Sequence, residues 1–342
     1  MFFNEDCISG CRRHIADGCV DLIVTDPPYG IAGDTLHRHY HRREEFVHDG
    51  YVEVAPEDYP AFSRAWIAEA ARILRPGGSL YVASGYTRLA DVLNALARSP
   101  LELRNHIIWK FNFGVYTRRK WVSSHYHILY CVKPGGPVTF NTFCRFAAGD
   151  RAPASKGGGA MNYLDREDVW LINREYKPGR RKNKNELPTA LLAKIIQYSS
   201  NEGDLVGDLF LGGFSTARVA IGLNRRAMGF EISPTAFEQG LKMIRSLTPG
   251  FLLPCVPHAD PADTERSGPA NQGRRWTDAE RTRLAERFAE LIAAGSTKSS
   301  AIQTLCTEFG RGRFAILNAL TALDRPAGTR PSAHPFIRPS SR

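Results

Sequence analysis

Residues 26–30 read Asp26-Pro27-Pro28-Tyr29-Gly30 and follow directly on a short apolar run, Asp21-Leu22-Ile23-Val24-Thr25. The run has the composition of a fully buried strand, and two consecutive prolines stop it at once. A carboxylate, a rigid turn with free carbonyls and an aromatic ring therefore stand together at the carboxyl end of a strand. Those parts suit the holding of a flat ring that bears an amino group and the polarisation of its NH2. The bland alternative is an ordinary turn after a strand.

A second site reads Val206-Gly207-Asp208-Leu209-Phe210-Leu211-Gly212-Gly213-Phe214-Ser215-Thr216. A strand ends here, a glycine turn follows and a helix starts, which is where a ligand meets exposed backbone N–H groups in a doubly wound sheet. One strand later, Met228-Gly229-Phe230 ends in Glu231, with Ile232 next. An acidic residue at that place can accept both ribose hydroxyls of an adenosine-containing cofactor. Taken alone, the glycine turn fits a tight strand-to-helix connection equally well.

The elements that must position these residues alternate. Strands are predicted over 21–25, 79–84, 104–110 and 128–133, with a helix carrying Tyr59, Phe62, Trp66 and Ala70 before the Pro76-Gly77-Gly78 stop. From 187 the order is helix (187–199), strand (204–208), helix (215–223), strand (226–231) and a helix over about 234–247. This predicts an α/β fold built on a doubly wound, mostly parallel sheet. The domain plan is 1–136 for the amino-gripping half, 137–185 for an irregular insert and 186–247 for the cofactor half. A Pro/Gly-rich linker over 248–273, a three-helix module over 274–323 and a disordered tail over 324–342 follow.

Charge points to the partner. The chain of 342 residues carries a net +10, and the segment from Lys110 to Lys184 holds fifteen Lys/Arg against five Asp/Glu. Trp109, Phe111, Phe113, Tyr116, Trp121 and Tyr126 are interleaved with it. Basic residues among aromatics suit a polyanion, nucleic acid first, against the alternative of a solvated basic face over core aromatics. No stretch approaches the ~18 apolar residues of a membrane span, the N-terminus lacks the pattern of a secretory signal, and the seven cysteines are scattered. A cytoplasmic, nucleoid-associated protein is expected.

Together, the Asp26–Tyr29 turn and the Asp208–Thr216 turn resemble the amino-group DNA methyltransferases that use S-adenosylmethionine. The amino-gripping motif precedes the cofactor motif, with the basic segment between, as in the beta-ordered group of that family. The resemblance covers about residues 1–247. Asn4-Glu5-Asp6-Cys7 resembles the family's motif in which Asp6 and the Cys7 amide would read the cofactor's adenine. Trp66 through Gly85 is similar to the segment after the catalytic motif. Glu186-Leu187-Pro188-Thr189-Ala190-Leu191-Leu192 is similar to the segment that closes over the methionine end, through Pro188. The chain departs from the family's Asp-Pro-Phe-x-Gly-Ser-Gly at Leu209 and Phe214, and Asn183 and Leu187 replace the usual His and Lys.

The resemblance implies a Rossmann-like fold with permuted motif order, and a reaction. Adenine's amino nitrogen is a poor nucleophile because its lone pair is delocalised. Asp26 and the Pro27 carbonyl would accept its N–H groups, Pro28 would stiffen the turn, and Tyr29 would stack on the base, worth about 1–3 kcal/mol. The base would have to be flipped from duplex DNA. Asp208, Phe210, Leu211, Gly212, Gly213, Ser215, Thr216, Glu231, Ile232 and Asp26 itself would surround the cofactor. Asp at position 26 favours adenine N6, since cytosine-N4 enzymes commonly carry Ser there. The alternatives are N4-cytosine methylation, a non-catalytic DNA-binding relative, and methylation of RNA or of protein glutamine. A homodimer is expected of such enzymes.

DNA contacts are expected from Arg38, Arg42 and Arg43, which lie in a loop with His37, His39 and His41, from Arg118, Arg119 and Lys120, and from Arg180, Arg181, Lys182 and Lys184. The last unit weakly resembles a Myb-like or helix-turn-helix module and would add Arg311 and Arg313; a helical packing or dimer-contact unit is the alternative. Cys7, Cys11, His14 and Cys19 have spacings that could suggest zinc, but Cys7 falls in the cofactor motif, and no metal is expected.

Overall fold

The computed structural model describes residues 1–30, 54–112, 114, 118–146, 165–175, 186–259, 271 and 276–323. The chain divides into two units, 1–259 and 260–342. Among the described residues, no helix is long and apolar enough to cross a membrane.

Among the described residues, the first unit holds one eight-stranded sheet. Its strands in chain order are β1 (Phe2–Phe3), β2 (Val20–Thr25), β3 (Leu74–Ser84), β4 (Glu102–Lys110), β5 (His125–Val132), β6 (Val169–Leu171), β7 (Leu205–Asp208) and β8 (Arg226–Phe230). Across the sheet the order is β1-β8-β7-β2-β3-β5-β4-β6, and β5 alone runs against the rest. β2 is apolar on both faces because it lies at the centre, between β7 and β3 in parallel register.

Among the described residues, six helices cover the two faces: α1 (Cys7–His14), α2 (Tyr59–Ile73), α3 (Leu89–Ala97), α4 (Thr189–Ser199), α5 (Ser215–Gly222) and α6 (Pro234–Arg245). One core joins Leu22, Val24, Tyr81 and Trp109 to α4 and α5, and the other joins Ile23, Leu80 and Val82 to Trp66, Ile67 and Cys11. α1 starts where Asp6 accepts the Ser9 amide at 2.9 Å, and it ends in Arg12, Arg13 and His14, which oppose the negative end of its dipole.

Three expectations shift. β3 begins at Leu74, five residues early, and takes Pro76-Gly77-Gly78 inside the strand. The pairing jumps from Val20↔Leu74 to Leu22↔Ser79, so the extra residues bulge out. Gly77 has φ +79°, and a Cβ there would meet the Pro137 carbonyl oxygen. The linker expected from 248 does not begin there. Leu252 is buried and its amide bonds the Gly222 carbonyl at 2.9 Å, while Gln197 holds the Pro257 carbonyl at 2.8 Å, so 248–259 packs on the first unit. The aromatics of the basic segment also divide: Trp109 and Phe111 are core, whereas Trp121 is 96% exposed.

The second unit has the three expected helices, α7 (Asp278–Ala293), α8 (Lys298–Phe309) and α9 (Arg313–Leu323), around Leu284, Ile302, Leu305, Ile316 and Ala319. Thr277 and Glu280 form the expected capping box. Asn183, Phe113, Tyr116 and the tail 324–342 lie outside the described residues.

Candidate active site

Strand order decides where the candidate site opens. The chain leaves β2 toward β3 on one side and returns at β7 on the other, which opens a crevice past the carboxyl ends of β2 and β7. Asp26 is the first residue beyond β2, and Asp208 is the last of β7. Thr25 Oγ1 donates to Asp208 Oδ1 at 2.9 Å in the interior. Asp208 also accepts from the Phe210 amide at 3.1 Å and from the Thr216 hydroxyl.

The turn after β2 folds back on its own carboxylate. Tyr29 donates its hydroxyl to Asp26 Oδ2 at 3.0 Å. Gly30 has φ +59°, and a Cβ there would collide with the Tyr59 ring, so the turn can pass over α2 only with glycine. Asp26 Oδ1 is buried and has no hydrogen-bond partner. Such an atom costs about 1–3 kcal/mol, which a ligand that brings a donor would relieve.

Both carboxyls are hard to ionise. Burial pushes Asp26 up to about 7, helped by the negative charge of Asp208 and opposed by the Tyr29 hydrogen bond and the positive Arg174. Burial likewise lifts Asp208 to about 6, against hydrogen bonds from Thr216, Phe210 and Thr25.

The glycine turn is held from the next strand. Glu231 Oε2 accepts the Gly212 amide at 2.8 Å, and Oε1 accepts the Ser233 amide at 2.7 Å. Burial raises the Glu231 pKa, and those amides oppose the rise. Gly213 faces Glu186 closely enough that a Cβ would collide with its carboxylate. Leu211 is buried and its amide bonds the Phe230 carbonyl, Phe210 packs edge-on against Trp66, and Ser215 opens α5. Ile232 is 48% exposed beside Glu231. Through β1, Asn4 Nδ2 reaches the Glu231 carbonyl at 2.7 Å, which brings Asp6 and buried Cys7 to the same end of the sheet. Pro188 caps α4.

Phe214, the departure from the family pattern, has a packing reason. It adopts φ +60° and is wholly buried, with its ring 5.3 Å from Phe2 and 6.0 Å from Phe237. The turn keeps its left-handed residue, and the side chain fills the space over Gly240.

Sequence reasoning missed an aromatic box beside Asp26. Tyr29 stacks on Tyr126 at 5.8 Å, and the Arg174 guanidinium carbon sits 5.0 Å from Tyr126, 4.5 Å from Phe111 and 5.7 Å from Trp109. The mixture of basic and aromatic residues between 110 and 184 was its only trace. Arg174 comes from the loop after β6, a strand too short to see in the sequence.

The expected DNA-facing residues divide three ways. Arg118, Arg119 and Lys120 are exposed. Arg38, Arg42, Arg43, Arg180, Arg181, Lys182 and Lys184 lie outside the described residues, as do His37, His39 and His41. In the second unit Arg313 is exposed, but Arg311 is 2% exposed, stacked 4.1 Å over Trp276 and paired with Glu280 at 3.1 Å. A DNA-facing Arg311 gives way to a packing role. Among the described residues, no group of three or more side chains could hold a metal ion, Cys7, Cys11 and Cys19 included.

Comparison with known proteins gives this geometry a family. A family model described as DNA methylase, covering N6 and N4 methyltransferases, matches residues 20–242. The type II methyltransferase M.HpaI of Haemophilus parainfluenzae is 27% identical over 245 residues, covering 70% of this chain and 72% of that protein. The DNA adenine methyltransferase YhdJ of Escherichia coli K12 is 28% identical over 241 residues, with 66% and 76% covered. The crystal structure of the cytosine-N4-specific PvuII DNA methyltransferase superposes with a TM-score of 0.51 at 14% identity, over 72% of this chain and 86% of that one, a likeness of fold.

Proposed function

The chain belongs to this DNA methylase family of N6 and N4 methyltransferases, and we propose that it methylates the N6 amino group of an adenine flipped out of duplex DNA. The observation that carries the reading is Asp26 Oδ1, a buried acceptor that lacks a donor, at the mouth of β2.

S-adenosylmethionine, the family's cofactor, supplies an electrophilic methyl group on a sulfonium. The residues present fit it. A cation beside Asp26 and Asp208 would restore the ionised forms that burial disfavours in both carboxyls. The Gly212 and Gly213 turn offers backbone without side-chain bulk, and the Glu231 carboxylate keeps acceptor capacity beyond the Gly212, Ser233 and Ile232 amides. Asp208, Glu231 and Ile232 would hold the adenosine part, with Asp6 and Cys7 at its ring edge.

The protein's own contribution is placement and charge. Asp26 Oδ1 and the Pro27 carbonyl accept hydrogen bonds from the two amino N–H groups, which draws the nitrogen toward a tetrahedral form with a free lone pair, and the proton released on methylation leaves along the bond to Asp26. Tyr29 holds Asp26 Oδ2, so the other oxygen is presented in one orientation, and its ring stacks on the base. No covalent intermediate is required, because nucleophile and electrophile need only be aligned. Exposed Arg118, Arg119 and Lys120 support a phosphate contact.

The test is transfer of label from S-adenosylmethionine to duplex DNA, followed by analysis of the bases. Label in N6-methyladenine is expected. Label in N4-methylcytosine alone would replace adenine with cytosine, whose amino group the same acceptors could hold, and no label in DNA would sink the reading.

A further inference from the structure

Resting on the reading of Asp26 as the grip on the target amino group, we propose that Arg174 is a specificity-determining residue that donates a hydrogen bond from its buried Nε to the ring nitrogen next to that amino group.

The case stands on two orphans linked through the Tyr29 and Tyr126 rings. Asp26 Oδ1 is a buried acceptor without a donor, and Arg174 Nε is a buried donor without an acceptor. Tyr126 joins them: its ring stacks on Tyr29, which bonds Asp26, and the Arg174 guanidinium sits 5.0 Å from the same ring. The positive charge of Arg174 also reaches Asp26, where it opposes the rise in pKa.

Three rings hold the guanidinium in place, at 4.5 Å from Phe111, 5.0 Å from Tyr126 and 5.7 Å from Trp109. Such stacking fixes orientation but leaves Nε unsatisfied, and a buried unpaired donor calls for a missing partner. An amino-bearing base supplies the complement of both orphans on adjacent atoms. In adenine, N6 donates and N1 accepts; in cytosine, N4 donates and N3 accepts. An exocyclic amine without an acceptor beside it would leave Nε unpaired, so Arg174 reads the amidine edge rather than the amine alone.

Single-turnover transfer is measured on duplex oligonucleotides that carry the site found by mapping modified bases. The target is either adenine or 1-deazaadenine, which keeps the amino group and lacks the N1 acceptor; 3-deazacytosine serves if the mapped base is cytosine. The wild-type enzyme is expected to slow by roughly 10- to 100-fold on the deaza base, the scale of a lost buried hydrogen bond. Arg174→Met is expected to be slow on adenine by a similar factor, with little further loss on the deaza base and with unchanged affinity for S-adenosylmethionine. A wild-type rate indifferent to the deaza substitution would overturn the proposal without any variant. So would an Arg174→Met enzyme that methylates adenine at full rate, or one that discriminates as sharply as wild type. If the wild-type protein labels no DNA base, the underlying reading fails instead, and the two failures are distinct.

Discussion

Thr25 and Asp208 stand 183 positions apart in the chain, yet the Thr25 hydroxyl donates to the Asp208 carboxylate at 2.9 Å. This bond crosses from the strand that leads into Asp26 to the strand that leads into the glycine turn, so it ties the two sides of the crevice together. Thr25→Val keeps the branched shape and removes the donor. It should cost about 1 kcal/mol of stability and weaken S-adenosylmethionine several-fold, read by urea melts and calorimetry. Unchanged values in both would mean that the bond has no part in holding the crevice.

The raised Asp26 carboxyl predicts opposite effects on stability and activity. Its pKa moves from an ordinary 3.8 to about 7 through burial. Across that window the folded protein retains a proton that the unfolded chain has released, so stability falls as pH rises through it and levels off above. Asp26→Asn removes this loss, so its melting temperature should exceed wild type at about pH 8 and approach it near pH 4. Transfer should rise with pH through about 7 in the wild type, as the carboxylate forms, and be lost in the variant. A flat pH–rate profile over that range would contradict the need for an ionised Asp26.

Local runs were legible in the sequence; partners distant in the chain were not. Asp26–Tyr29 and Asp208–Thr216 could be placed at strand ends because apolar runs stop abruptly at proline and glycine. That both strands face one crevice needed only a parallel sheet, and β2 and β7 are neighbours in parallel register. β1 and β6, with two and three residues, are too short to have a period. Arg174 gains its surroundings from β4, β5 and a loop, contacts that spacing along the chain does not encode. Arg311 reads as a DNA-facing cation in the sequence because its stacking partner, Trp276, lies a full helix pair away.

Phe214 makes a prediction about why the glycine turn departs from its family. The residue has φ +60°, which glycine adopts without strain, but its ring is buried against Phe2, Phe237 and Gly240. Phe214→Gly relieves about 1–2 kcal/mol of backbone strain and opens a cavity whose cost is about 3–5 kcal/mol. Net destabilisation is expected, with cofactor affinity largely kept in the folded fraction. Gly240→Ala should destabilise for the complementary reason, since its new methyl would press on the same ring. Thermal melts of both variants check this, and a more stable Phe214→Gly would show that strain outweighs packing.

In the second unit, Arg311 bonds Glu280 at 3.1 Å and covers the Trp276 ring, which locks the start of α9 to the start of α7. Glu280 already closes the capping box of α7, so one guanidinium supports both a cap and a stack. Arg311→Ala leaves the face of Trp276 uncovered and should cost about 2 kcal/mol locally. Hydrogen exchange on the full chain separates this from a DNA contact. Amides over 276–323 should exchange faster, while those of 1–259 keep their protection, because the two units fold around separate cores. Arg313→Ala, at the exposed first residue of α9, should leave exchange unchanged. If Arg311→Ala instead weakened DNA binding with full protection across α7–α9, the packing role assigned to Arg311 would be wrong.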